Sequence, residues 1–118
     1  MRNYKDNAIV KMTFEFALGI IDFAEILREQ KRFAVSDQVI RSGCSIGANV
    51  KEAQSAESKA DFVHKIKIAS KEAEESEYWL ELCEFSKNYP KPKQLLSEIE
   101  SILKVLTKII TTAKRNEK

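Results

Sequence analysis

The sequence predicts an all-α protein, an antiparallel up-and-down four-helix bundle, on three observations. Apolar residues recur at steps of three and four along four long stretches, which is the spacing of one face of an α-helix. Only 3 Gly and 2 Pro occur in 118 residues, so little interrupts those stretches. No useful length alternates with the period of two that marks a β-strand. Because short links make neighbouring helices antiparallel, we expect a single domain over residues 1–118.

The first helix is predicted over residues 7–29, with Asp6 or Asn7 as its N-cap. Its apolar side chains form two rows at helical spacing: Ile9, Phe16, Ile20, Phe23 and Leu27 in one, and Val10, Phe14, Ala17, Ile21 and Ala24 in the other. A helix with two apolar rows is expected to contact more than one neighbour. The first helix is therefore predicted to be deeply embedded.

The second helix is predicted over residues 36–55, and the side chains in its middle are unusually small. Gly43 and Gly47 both lie there. Glycine inside a helix costs up to about 1 kcal/mol relative to alanine, so two of them so close together require a reason. The close approach of another helix is the reason that we favour, since a Gly-x-x-x-Gly pair permits it.

The third helix is predicted over residues 58–87, with Ser58 as its N-cap and Asp61 where a capping box usually has Glu. Its apolar seam is Phe62, Ile66, Ala69, Ala73, Ser76, Leu80 and Cys83. The fourth helix is predicted over residues 92–114, with Pro92 near its first position, where proline is well tolerated. Its buried face is predicted to be Leu95, Leu96, Ile99, Ile102, Leu103, Leu106, Ile109, Ile110 and Ala113.

Overall charge and the N-terminal sequence indicate the setting in which the protein works. The formal net charge of +2 is close to neutral, so composition alone indicates neither a nucleic-acid nor a membrane partner. The N-terminus lacks the apolar stretch of a signal peptide, and no apolar run approaches the roughly 20 residues of a membrane span. We therefore expect a cytoplasmic protein with no membrane partner.

The two cysteines are expected to be reduced, structural thiols. In the predicted topology Cys44 lies level with about Ala69, and Cys83 lies more than a dozen residues further along the third helix. At 1.5 Å per residue this separation is roughly 20 Å, whereas a disulfide requires Cα atoms within about 7 Å. An intramolecular bridge is excluded if the topology is correct.

Residues for catalysis or for metal binding are scarce. His64 is the sole histidine of the chain, which removes most general acid–base schemes and histidine-rich metal sites. The Asp61-x-x-His64 spacing resembles half of a di-metal bundle site, but the second pair that such a site needs has no histidine to form it. We predict no catalytic residue, no metal, no cofactor and no enzymatic activity.

The charge order of the third helix admits two interpretations. Its first half is basic, with Lys59, Lys65, Lys67 and Lys71, and its second half is acidic, with Glu72, Glu74, Glu75, Glu77, Glu81 and Glu84. This order opposes the preference of the helix dipole. The charges are either an ordinary solvated surface, or opposite patches that pair between subunits in a head-to-tail ring.

A basic row on the fourth helix is also open to two interpretations. Lys104, Lys108 and Arg115 share one face, and Lys114 and Lys118 add to its end. Basic residues near a helix C-terminus satisfy the dipole, which suffices as an explanation. If the row has a further role, nucleic-acid phosphates are its expected target, together with Lys65, Lys67 and Lys71 of the third helix. The interleaved aromatic residues of a single-strand binder are missing from the row.

The second and third helices carry a family resemblance. Residues 38–52, QVIRSGCSIGANVKE, closely resemble the signature of the four-helix-bundle proteins encoded in intervening sequences of bacterial large-subunit (23S) ribosomal RNA genes. Residues 72–82, EAEESEYWLEL, resemble the third-helix pattern of that family. The likeness covers essentially the whole chain. The family also looks related to the accessory variability determinant of diversity-generating retroelements.

The resemblance implies an assembly and a set of partners. It implies an up-and-down bundle that forms a homopentamer, as a ring or barrel with a central channel. It further implies a non-enzymatic role, with RNA, DNA or a reverse transcriptase as partners in the retroelement branch. A single chain does not identify the branch.

The signature also has a physical interpretation. Arg41, Ser45, Asn49 and Glu52 are three or four residues apart and therefore lie along one side of the second helix. We expect this polar ridge to pack against Glu75 or Glu77 across an oligomer interface. Because buried polar groups must be paired, such a ridge fixes the register of the contact. Structural specificity is the interpretation that we prefer over ligand binding.

Two functional hypotheses follow. The preferred one is a homo-oligomeric bundle that acts as a nucleic-acid-binding or adaptor module. The alternative is a purely structural scaffold that binds another protein and never contacts nucleic acid. Binding to RNA and DNA at low salt separates the two.

Overall fold

The computed structural model describes residues 7–116. Four helices follow one another: α1 (Ala8–Glu29), α2 (Phe33–Ala53), α3 (Lys59–Phe85) and α4 (Lys93–Arg115). Among the described residues each helix packs against the next and α4 closes against α1, whereas the diagonal pairs make no close backbone contact. The predicted all-α four-helix bundle is confirmed.

The core runs the length of the bundle and draws side chains from every helix. Large side chains that are almost completely inaccessible to solvent are Phe16, Ile20, Leu27, Ile46, Ile66, Leu80, Ile99, Ile102 and Leu106. Burial of each such side chain contributes about 1.5–3 kcal/mol. The predicted seam of α3 is buried along its whole length except at Phe62, which is half-buried where the seam begins.

The two glycines of α2 lie against α1. A Cβ atom on Gly43 would lie 2.8 Å from two γ carbons of Ile20, and one on Gly47 would lie 3.3 Å from the backbone oxygen of Thr13. At Gly43 only a residue without a side chain fits at this distance, whereas at Gly47 the contact is tight but within reach of a small adjustment. The prediction that the glycines permit a close helix contact is confirmed.

The start of α2 differs from the prediction, and Ser36 explains the difference. The helix begins at Phe33, directly after a tight turn in which Lys31 has a φ of 63° and the Arg32 N–H donates to the oxygen of Leu27. The sequence predicts that α2 begins at Ser36, and serine is a common cap. Its buried hydroxyl instead donates to the backbone oxygen of Ala24 at 2.8 Å, which ties α2 to α1.

The remaining helix ends follow their predicted signals closely. The Asn7 side chain accepts from the Val10 N–H at the start of α1, while the alternative cap Asp6 and the tail residue Lys118 lie outside the described residues. The Ser58 hydroxyl accepts from the Asp61 N–H at 3.0 Å, as an N-cap should. Pro92 immediately precedes α4.

The prediction that α1 is deeply embedded is wrong for part of its second row. Val10 and Ala24 are buried, but Phe14 is 58% exposed and Ile21 is 38% exposed. The reason is geometric: α1 contacts only α2 and α4 among the described helices, so the outermost part of a wide apolar face stays uncovered. Cys44 and Cys83, by contrast, are both free thiols as predicted.

Candidate interaction surfaces

The polar ridge of α2 consists of Arg41, Ser45, Asn49 and Glu52, as its spacing predicts. Its two central members bond to their own helix. The Ser45 hydroxyl donates to the backbone oxygen of Arg41 at 2.7 Å, and the Asn49 amide donates to the backbone oxygen of Ser45 at 2.9 Å. These local bonds satisfy a donor on each side chain without a second chain.

The two ends of the ridge contact α3. The Arg41 guanidinium donates to Glu75 and, at 3.4 Å, to Glu72. The indole N–H of Trp79 donates to the same Glu75 oxygen at 3.0 Å. Glu75 is therefore held from two sides, by a charge and by a ring.

Glu52 completes the contact at the other end of the ridge. The Lys65 ammonium donates to its carboxylate at 3.0 Å. That hydrogen bond, with the attraction between the two charges, raises the pKa of Lys65. The ridge thus pairs with α3 inside one chain, and its role at an oligomer interface stays a prediction.

Glu77 lies apart from the ridge, on the side of α3 that faces α4. Burial raises the pKa of its carboxyl, and the nearby charges of Glu81, Glu100 and Glu74 raise it further. A single face at the α3–α4 seam therefore gathers four carboxylates. The structure separates Glu77 from Glu75, although the two stand close together in the sequence.

The six basic residues proposed as nucleic-acid contacts fall into two groups. Lys65 is bound to Glu52 inside the chain. The other five are exposed, and none of them forms a salt bridge within residues 7–116; they are Lys67, Lys71, Lys104, Lys108 and Arg115. These five side chains are available to an external anion.

An apolar stripe on α1 was missed as a surface by the sequence interpretation. Phe14, Leu18 and Ile21 are spaced as neighbours on one helix face and are 58%, 51% and 38% exposed. We call these three residues the α1 stripe. Leu18 belonged to neither predicted row. Its helical spacing from Phe14 and Ile21 is the sequence signal that these three residues form a separate, outward-facing row.

A second apolar surface lies on the C-terminal half of α3. Tyr78 is 55% exposed, Leu82 is 39% exposed and Phe85, the last residue of the helix, is 85% exposed. Their spacing differs in phase from the buried seam of α3, so the two sets occupy different faces. Exposed apolar groups at regular spacing are typical of interaction surfaces.

Neither a metal cluster nor a membrane span was found in the part of the chain that the structure describes. Within it, no three His, Cys, Asp or Glu side chains are grouped so that they could hold a metal ion. None of the four helices described combines the length and the apolarity that a bilayer crossing requires. His64 is exposed, and the carboxylate of Asp61 accepts from the Glu57 N–H at 3.2 Å.

These observations define a class: a small four-helix-bundle protein whose distinctive chemistry lies on its surface. The chain belongs to the 23S rRNA-intervening sequence protein family, whose family model matches residues 5–108. The family resemblance of the second and third helices is thereby confirmed. The link to the accessory variability determinant of retroelements stays a prediction.

One solved structure is similar over most of the chain. It is the crystal structure of a protein of unknown function from the S23 ribosomal protein family of Bacteroides thetaiotaomicron. It is 41% identical to this chain, with a TM-score of 0.81, over 86% of this chain and 97% of that one. No curated protein matches the chain.

Proposed function

We propose that this protein is a non-enzymatic, homo-oligomeric bundle of the bacterial cytoplasm that binds nucleic acid as an adaptor module. The observation that carries the proposal is the set of five exposed basic side chains on α3 and α4 that have no carboxylate partner within residues 7–116. Lysine and arginine without partners attract phosphates and release the counterions that nucleic acid holds. The family resemblance of the second and third helices implies the same partner class.

Self-association is supported by the α1 stripe. Its three side chains are large and apolar, and an exposed stripe of this kind gains free energy when a second copy covers it. A contact between different faces of two copies repeats from copy to copy, and it forms a ring when the rotation from each copy to the next closes on itself. Tyr78 and Leu82, on the diagonally opposite helix, are the surface that we propose as the other half of that contact. Five copies are the number that the family resemblance implies.

The assembly is tested by light scattering on the purified protein and two matched variants. Leu18→Lys places a charge in the α1 stripe and is expected to dissociate the oligomer. Ile26→Lys makes the same change at another exposed apolar position of α1, outside the stripe, and is expected to leave the oligomer intact. A wild-type monomer, or equal masses for both variants, would contradict the proposal.

Nucleic-acid binding is tested by titrating labelled RNA and DNA at several salt concentrations. Replacing Lys104 and Lys108 by glutamine is expected to weaken binding to both and to flatten the salt dependence, because each lost phosphate contact removes about 0.7–0.9 from its slope. The same two substitutions at Lys11 and Lys51, exposed lysines outside the rows, are the control. Absence of binding by the wild type at low salt would favour a protein scaffold, with a reverse transcriptase as the partner to test first.

A further inference from the structure

One end of the bundle combines basic and aromatic residues. The α1–α2 turn and the α3–α4 turn both lie there, and Arg32 joins them. Its guanidinium stacks 4.3 Å from the centre of the Tyr89 ring and donates to the backbone oxygen of Asn88 at 3.4 Å. We call this surface, residues 30–33 with residues 85–93, the turn end.

The turn end carries an excess of positive charge. Residues 30–33 and 85–93 contain five basic residues and no acidic one. Lys91 is engaged, because its ammonium donates to the backbone oxygens of Cys83, Glu84 and Ser86 and so caps α3. Lys31, Lys87 and Lys93 are exposed and form no salt bridge with any described residue; they are the cations left for a ligand.

The nearest acidic residues do not cancel this charge. Asp37 pairs with Arg28 at 3.2 Å, so each neutralises the other. Glu84 is half-buried, with one carboxylate oxygen inaccessible to solvent. Glu29 and Glu81, the latter one turn before Phe85 on α3, are exposed carboxylates close to the turns. Three free lysines against these two carboxylates leave the surface with an excess of positive charge.

Aromatic rings are exposed among these cations. Phe85 is 85% exposed, more than any other large apolar side chain described, and Phe33 is 49% exposed. The Arg28 guanidinium lies 5.0 Å from the centre of the Phe33 ring. Exposure of a phenylalanine to this extent gains nothing for the fold, so the ring is available to stack on a planar ligand.

The backbone adds to the electrostatics of this end. The helices α2 and α4 begin here, and neither has a side-chain cap, whereas Asn7 and Ser58 cap α1 and α3 at the opposite end. Uncapped N–H groups of a first turn favour anions. They support the lysines and do not form a site alone.

From this combination we infer that the turn end binds single-stranded nucleic acid, with bases stacked on Phe85 and Phe33 and phosphates held by Lys31, Lys87 and Lys93. Cationic surfaces with interleaved rings bind single strands in this way, because every base has a face to stack and only an unpaired base can expose it. The inference rests on the proposed nucleic-acid binding, and it assigns the contacts with bases to the turn end. The basic side chains along α3 and α4 attract any phosphate backbone, whereas the turn end discriminates single strand from duplex.

Phe85→Ala in the full-length protein tests this division of roles. Binding is measured by fluorescence anisotropy with a labelled RNA of roughly 20 nucleotides, both single-stranded and annealed to its complement. Since stacking of one base contributes about 1–3 kcal/mol, the variant is expected to bind the single strand about 5- to 150-fold more weakly and the duplex unchanged. The Lys104→Gln, Lys108→Gln variant is expected to weaken both forms about equally.

The other outcomes are distinguishable. Unchanged single-strand binding by Phe85→Ala, or equal weakening of both forms, overturns the turn-end assignment while the proposed function stands. Absence of binding by the wild type overturns both. Displacement of the RNA by polyglutamate at equal charge concentration would show a general polyanion surface and overturn the assignment. Light scattering is run on the same sample, because a change in oligomeric mass would place Phe85 at a subunit contact instead.

Discussion

Replacement of Gly43 by alanine tests the close contact between α2 and α1. The added methyl group would lie 2.8 Å from both γ carbons of Ile20 and 3.0 Å from its δ carbon. Ile20 is fully buried and branched at Cβ, so its γ carbons cannot turn away unless α1 itself moves. The substitution therefore forces the two helices apart.

The change in the free energy of unfolding that Gly43→Ala causes is the result of two opposed effects. Overpacking a core costs about 1–3 kcal/mol, whereas alanine in place of glycine inside a helix gains about 1 kcal/mol. Because branched carbons are the obstacle, we place the steric cost in the upper part of its range, at about 2–3 kcal/mol, and expect a net loss of about 1–2 kcal/mol. Gly47→Ala is the matched control. Its methyl group would lie 3.3 Å from the Thr13 oxygen, so a small adjustment suffices, and the helix gain of about 1 kcal/mol offsets it.

Guanidinium denaturation followed by circular dichroism, at several protein concentrations, measures these changes. Gly43→Ala is expected to lower the guanidinium concentration at which half of the protein is unfolded, without changing how steeply the free energy of unfolding falls with denaturant. In a double-mutant cycle with Ile20→Ala, which removes the obstructing carbons, the coupling energy should equal the whole steric cost of about 2–3 kcal/mol, because only the helix gain then remains. The reasoning is refuted if Gly43→Ala is as stable as the wild type, or if the cycle is additive.

Three further predictions concern single side chains. Lys91→Met removes the ammonium that caps three backbone carbonyls at the end of α3, and it should lower the free energy of unfolding by about 1 kcal/mol in thermal denaturation. Lys93→Met is the control and should lower it by about 0.5 kcal/mol or less. Burial raises the pKa of Glu77 in the folded protein, so ionisation of this carboxyl lowers the free energy of unfolding once the pH rises through the pKa that it has in the unfolded chain. Glu77→Gln should therefore raise Tm at neutral pH and leave it unchanged at a pH below that unfolded-chain pKa. Burial also raises the pKa of Cys83 to about 11, so iodoacetamide should label Cys44 first in the folded protein, as read by mass spectrometry; faster labelling of Cys83 would contradict its burial.

Those parts of the fold that depend on local chemistry could be predicted from the sequence. The cap at Ser58 follows from a side chain acting on its own first turn, and the seam of α3 follows from spacing alone. The start of α2 could not be predicted in this way. Ser36 carries the same signal as a cap, but its hydroxyl bonds to another helix, and sequence spacing does not reveal that partner.

The candidate surfaces were predicted less completely, for a related reason. Spacing places Phe14 and Ile21 on an apolar face, but exposure depends on how many neighbours the bundle supplies to α1. Likewise, the sequence offers Glu75 and Glu77 as equally plausible partners for Arg41. Only the three-dimensional structure shows that α3 is rotated so that Glu75 meets Arg41. The turn end was missed because helical periodicity says nothing about two turns that meet.

The α1 stripe and the turn end occupy different parts of the bundle, and this separation has a consequence for the proposed ring. Cyclic symmetry repeats every feature at the same height, so the turn ends of all copies lie on one rim. An RNA long enough to reach two of them gains avidity of about 100- to 10,000-fold over a short one. Leu18→Lys should abolish this dependence on length while short RNA binds normally. Equal length dependence in wild type and variant would show that assembly and binding are independent.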